Sequence, residues 1–193
     1  SNSYSILTLD GTSTPINSSV VIDGFTISGG LADSTTIRNS GAGLYCYADS
    51  GGACTPTLRN LIFIGNKAVN GGAMFNYGLD GGWASHHIDE VTFRQNVATD
   101  KGGAVFNLAI GSDSAAGPEM SEVIFTDNDS TGTATYSGGG AIYNYYYAAT
   151  GGQAIVNGLF LRNSAATDGG AIYNRAFEST FSPSVTHVTL VDN

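Results

Sequence analysis

Short apolar runs, each closed by Gly, Asn or Ser, recur along this chain at a nearly constant interval. The clearest marker is Phe-x-x-Asn: FIGN at 63–66, FRQN at 93–96, FTDN at 125–128 and FLRN at 160–163, with LVDN at 190–193. The Asn positions are separated by 30, 32, 35 and 30 residues. Aligned on this marker, one column reads Ile27, Phe63, Phe93, Phe125, Phe160, Leu190. Two residues earlier stand Phe25, Leu61, Val91, Val123, Gly158 and Val188, and three before those Ile22, Leu58, Ile88, Met120, Ile155 and Val185. Runs this short, bounded by turn formers and without 3.6-residue periodicity, predict strands rather than helices.

A second marker follows each of the first: GGAMFN at 71–76, GGAVFN at 102–107, GGAIYN at 139–144 and again at 169–174, with GAGLYC at 41–46 as an early, degenerate copy. A period near 30 with two or three short strands per repeat predicts an all-β, single-stranded right-handed parallel β-helix, one coil per repeat. Residues 1–193 then form one β-helix domain, a piece of a longer chain or assembly, with about six coils stacked at roughly 4.8 Å. The glycine pairs Gly71–Gly72, Gly102–Gly103, Gly139–Gly140 and Gly169–Gly170 allow tight turning and close approach of the next coil. Leu44, Met74, Val105, Ile142 and Ile172 feed an interior stack. Tyr45, Phe75, Phe106, Tyr143 and Tyr173 are expected to stack ring on ring. Two amide ladders follow: Asn76, Asn107, Asn144 and Asn174 at one corner, and Asn66, Asn96, Asn128, Asn163 and Asn193 at another.

Composition narrows the setting. Charged residues make up 12% and the formal net charge is −9, which disfavours nucleic acid and anionic lipid as partners. No apolar run is long enough for a membrane-spanning helix. The Gly-rich, charge-poor composition fits an extracellular or cell-surface location, where Cys46 and Cys54 are expected to form a disulfide. The segments following the glycine motif vary in length and carry aromatics. Trp83 and the run Tyr145, Tyr146, Tyr147 are the candidate binding residues, on the reasoning that exposed rings stack on sugars or pack against protein.

The paired GGA[ILVM] and FxxN motifs, four full copies within residues 22–193, resemble the repeats of the chlamydial polymorphic outer membrane proteins. The resemblance implies a β-helix displayed on the cell surface and involved in adhesion. The function expected is therefore a non-enzymatic structural or adhesive domain that binds a glycan or a surface protein of a host or neighbouring cell, or that self-associates end to end as a stalk or filament.

The rival reading is a polysaccharide lyase or glycoside hydrolase on the same scaffold. Glu90 and Glu122 fall in one column and would be its carboxylate pair or a Ca²⁺ site; exposed glutamates splaying into solvent are the plainer alternative. Asp23, Arg59 and Asp89, and Asp127 with Arg162, read as surface charge ladders. Adjacent His86 and His87 point apart and lack a third ligand, so no metal, cofactor or catalytic residue is assigned.

Overall fold

The computed structural model describes residues 4–34 and 39–193, and among them every assigned element is a β-strand. All strand pairs are parallel and join equivalent segments of successive repeats. The chain is a parallel β-solenoid with three faces. Leu7–Asp10, Leu44–Asp49, Met74–Leu79, Val105–Ile110, Ile142–Tyr147 and Ile172–Phe177 form the first face, which carries the glycine-motif strands. The second carries the Phe column and widens from pairs of three-residue strands (Thr57–Arg59 with Ile62–Ile64) to continuous eight-residue strands (Glu119–Thr126, Ala154–Leu161, Ser184–Val191). Leu31–Ala32, Lys67–Asn70, Val97–Lys101, Asp129–Ser130 and Ser164–Ala165 make the short third face. Five coils thus present all three faces and a sixth presents two, close to the six coils expected.

Each coil bends at residues in the left-handed region, and these too are stacked. Four columns are involved, with φ between 45° and 92°: Gly24 to His187 through Asn60 and Glu90; Gly29 to Asp192 through Gln95 and Asp127; the first glycine of each motif; and Ser50, Asp80, Gly111, Ala148 and Glu178. A non-glycine residue gives up about 1–2 kcal/mol in this conformation, so only closure of the coil keeps it there. The second motif glycine serves a different need. Gly103 has ordinary φ, but a Cβ on it would lie 2.0 Å from the Gly140 carbonyl oxygen.

The interior is a set of axial columns. Phe63, Phe93, Phe125 and Phe160 stack face to face, with centroids 5.1, 4.6 and 4.7 Å apart and planes within 9°. Leu44, Met74, Val105 and Ile142 oppose them from the first face, and all are fully buried. At the next corner the ladder from Asn66 to Asn193 satisfies every amide. Asn96 Nδ2, for example, donates to Phe63 O and Asn128 Oδ1, while Asn96 Oδ1 accepts from the backbone N–H and Nδ2 of Asn66.

The other ladder departs from expectation. Asn76, Asn107, Asn144 and Asn174 are linked Nδ2 to Oδ1 at 2.7 Å, but in mid-strand, facing the interior rather than a corner. Alternation explains it: in these six-residue strands the Asn shares its side of the sheet with the buried aliphatic residue two before it. The Tyr45–Tyr173 column also differs. It is continuous, but only Phe75–Phe106 and Tyr143–Tyr173 stack; Tyr45–Phe75 and Phe106–Tyr143 meet edge-on at 63° and 84°. A mixed Phe and Tyr column has no common ring position and settles into both favoured aromatic geometries.

Candidate functional site

The first face is aromatic and aliphatic on its outer side as well as its inner side. Outward positions of its strands make three columns: Tyr45, Phe75, Phe106, Tyr143, Tyr173; Tyr47, Tyr77, Leu108, Tyr145, Arg175; and Asp49, Leu79, Ile110, Tyr147, Phe177. An outward sheet face in a solenoid is ordinarily polar, so an apolar surface this continuous is a feature to be explained. The first column is the deepest: Phe75 and Phe106 are 5% exposed although they point away from the core.

A ridge shields that column. The turns entering the first face are bridged from coil to coil at Ser40, Asn70, Lys101, Gly138 and Asp168. Between this ridge and the tyrosine column lies a groove of about 610 Å3, floored by Tyr45, Phe75 and Phe106 and walled by Tyr47, Tyr77 and Leu108. Asp10, Asn39, Ser40 and Asn70 supply its polar edge, and among the described residues no Lys or Arg lines it. Tyr47 OH donates to Asp49 Oδ2 at 2.9 Å, and burial followed by that bond pushes the phenol well above its ordinary range. Tyr77 is raised as well, by burial first and then by the charges of Asp49 and Asp80.

Toward the C-terminal coils the chain fills the same cleft itself. The longer segment between Asn128 and Gly139 brings Tyr136 over the cleft, and the Arg175 guanidinium carbon sits 3.7 Å from the Tyr136 ring centroid and 4.8 Å from that of Tyr145. Tyr143 beneath is fully buried, and burial raises its phenol to about 12 against the opposing effect of Arg175.

The candidate residues named from sequence are divided by this geometry. Tyr145 and Tyr147 belong to the outer face, Tyr147 being 41% exposed and stacked 5.5 Å from Phe177. Tyr146 does not: strand alternation turns it inward, where it is fully buried against Ala109, Ala116 and Phe181. The three tyrosines lie in a strand, not a loop. Trp83 is 55% exposed on the loop edge and donates Nε1–H to Asp113 O. Cys46 and Cys54 are disulfide-bonded and buried, and Cys46 occupies the ladder position that Asn76 holds one coil later. His86, assigned no metal role, supplies the donor that the missing amide would have given. It is buried, its Nε2 donates to Asn76 Oδ1 at 2.5 Å, and burial lowers its pKa to about 3. Sequence reasoning missed the groove because it assigned the Phe/Tyr column to packing alone; the signal was apolar character at both odd and even positions of one strand.

The carboxylates remain dispersed. Glu90 and Glu122 sit in adjacent coils, both exposed and both with positive φ, and Glu122 accepts from Asn157 Nδ2 at 2.8 Å. Asp23 pairs with Arg59 at 2.9 Å, while Asp89 accepts from Ser121 Oγ. Asp127 takes both Nε and Nη2 of Arg162, and these hydrogen bonds hold its carboxyl below the usual range. Lys101 contacts the adjacent Asp100 at 2.5 Å. Among the described residues no three His, Cys, Asp or Glu side chains cluster as metal ligands, and no helix is long and apolar enough to cross a membrane.

Known proteins add one finding. The Chlamydia polymorphic membrane protein repeat matches residues 90–108 and 157–175, each running from an FxxN strand to a glycine-motif strand. No curated protein and no solved structure matches the chain. With that repeat found twice and a coil of the same period running through the structure, the chain is a parallel β-helix repeat protein, similar over those two segments to the Chlamydia polymorphic membrane protein repeat.

Proposed function

We propose that this chain is a non-enzymatic adhesive domain of a surface- or outer-membrane-associated protein, holding its partner by the aromatic outer face of the glycine-motif sheet. The observation that carries the reading is the groove floored by Tyr45, Phe75 and Phe106, an apolar concavity on a face that points away from the core. Apolar clefts with a few polar edge groups are the usual form of a binding site. The repeat family, whose name places its members at a membrane, supports the setting.

The reading is tested by retention of the immobilised protein on candidate cells and glycans, in parallel with an assay for new reducing or unsaturated polysaccharide ends. Retention without product, abolished when Leu79 and Ile110 are both replaced by Ser, is the expected result. Sustained product release that disappears in Glu90→Gln or Glu122→Gln would instead make the chain an enzyme.

A further inference from the structure

Resting on the adhesive reading, we infer that the open part of the groove takes a guanidinium-bearing segment of a partner protein, seated against Tyr47 and Tyr77 as the chain's own Arg175 is seated between Tyr136 and Tyr145.

The cleft is one structural feature along its length. Tyr47, Tyr77, Leu108, Tyr145 and Arg175 are successive members of a single outward column, in register from coil to coil. At its C-terminal end the occupant is visible. Arg175 lies over two tyrosine rings at 3.7 and 4.8 Å, and none of the ion pairs among the described residues involves it. A half-buried guanidinium held by ring faces in place of a carboxylate shows what these surfaces accept.

At the N-terminal end the rings are present and, among the described residues, no cationic side chain lines the groove. Tyr47 and Tyr77 have ring centroids 5.4 Å apart, tilted by 43°, and both line the groove. Among the described residues the charge nearby is negative: Asp10 lines the groove and Asp49 accepts from the Tyr47 hydroxyl. The whole chain carries −9. A sulfated or uronic glycan would be repelled, and a neutral one would donate hydroxyls to the aspartates without compensating their charge. A planar cation uses both the ring faces and the carboxylates.

The test uses the whole domain at low salt, with labelled acetyl-Gly-Arg-Gly-Arg-Gly followed by fluorescence anisotropy. The same peptide with citrulline in place of Arg keeps shape and hydrogen-bonding groups but loses the charge, and chitohexaose and cellohexaose serve as neutral glycan probes. The Arg peptide is expected to bind saturably and the citrulline peptide at least about tenfold more weakly. Tyr77→Leu, which gives this position the residue that Leu108 supplies one coil later, and Asp49→Asn should each weaken the Arg peptide about tenfold. Asp192→Asn, which removes a charge of the same sign elsewhere, should leave it unchanged.

Equal binding of the citrulline peptide, equal loss in Asp192→Asn, preference for either oligosaccharide, or no peptide binding at all would each overturn the inference. Cell retention that depends on Leu79 and Ile110 but not on Tyr77 or Asp49 would sink it while leaving the adhesive reading standing.

Discussion

His86 shows how one residue completes a repeated structure where the repeat fails. The Asn column needs a donor below Asn76 Oδ1, the preceding coil offers Cys46, and the imidazole fills the gap. Its folded pKa of about 3 lies below the ordinary 6.5, so between those values the unfolded chain binds more protons than the folded one. Stability therefore rises with pH across this window, with a limiting slope of about 1.4 kcal/mol per pH unit. Urea midpoints at pH 7 and pH 5 should differ in the parent protein and converge in His86→Gln, which keeps a donor but does not titrate. Asp23 and Asp127, both lowered by hydrogen bonds to their partners, contribute only at lower pH, so the comparison is read above pH 4.5.

Glycines separate two costs at this same scale. Gly24→Ala meets nothing within 4 Å and pays for φ alone, about 1 kcal/mol. Gly103→Ala drives a methyl into the carbonyl of Gly140 and should cost about 3 kcal/mol or more, with the fold lost if the coils cannot separate. Chemical denaturation of the two variants distinguishes strain from collision.

At the scale of elements, a ladder residue belongs to three coils at once. Asn128 accepts from the backbone N–H and Nδ2 of Asn96, and donates to Phe93 O and Asn163 Oδ1, all inside the molecule. Asn128→Ala removes all four bonds and deprives the Asn96 N–H and the Phe93 carbonyl of their side-chain partner in a site that water does not reach, so a loss of about 3 kcal/mol or more is expected. Asn193→Ala removes the exposed last rung and should cost less than half as much. The strands behave similarly. Tyr146 takes a place held by Gly78 and Ala109 in earlier coils, and the structure accommodates it with Ala116, Ala149 and Phe181 around the ring.

Across the molecule the strand pairs join each coil to its neighbours, so stability is shared along the axis rather than gathered at a centre. Met74–Leu79 and Val105–Ile110 are covered on both sides, and their inward residues are fully buried. Ser184–Val191 is covered on one side and exposes Val185 and Leu190, which belong to interior columns elsewhere. Hydrogen exchange should be slowest in the first two strands and faster by orders of magnitude in the last. Uniform protection along the chain would contradict a nearest-neighbour solenoid.

The sequence alone determined the solenoid, its period, the Phe and aliphatic columns, and the ladder from Asn66 to Asn193. Stacking identical coils forces equivalent residues together, so a column of like residues in the sequence is already a statement about neighbours in space. The paired left-handed columns were half legible: glycine announces such a bend, whereas Glu90, Gln95 or Arg162 adopts it only because the coils above and below do. That the Tyr45–Tyr173 column lies outside the core was a matter for tertiary structure. Period-two alternation distinguishes in from out only when one side is polar, and in GGAMFNYGL both sides are apolar. For the same reason the groove, the inward turn of Tyr146 and the seat of Arg175 beneath Tyr136 were decided by the folded chain, which alone brings side chains from distant repeats onto one face.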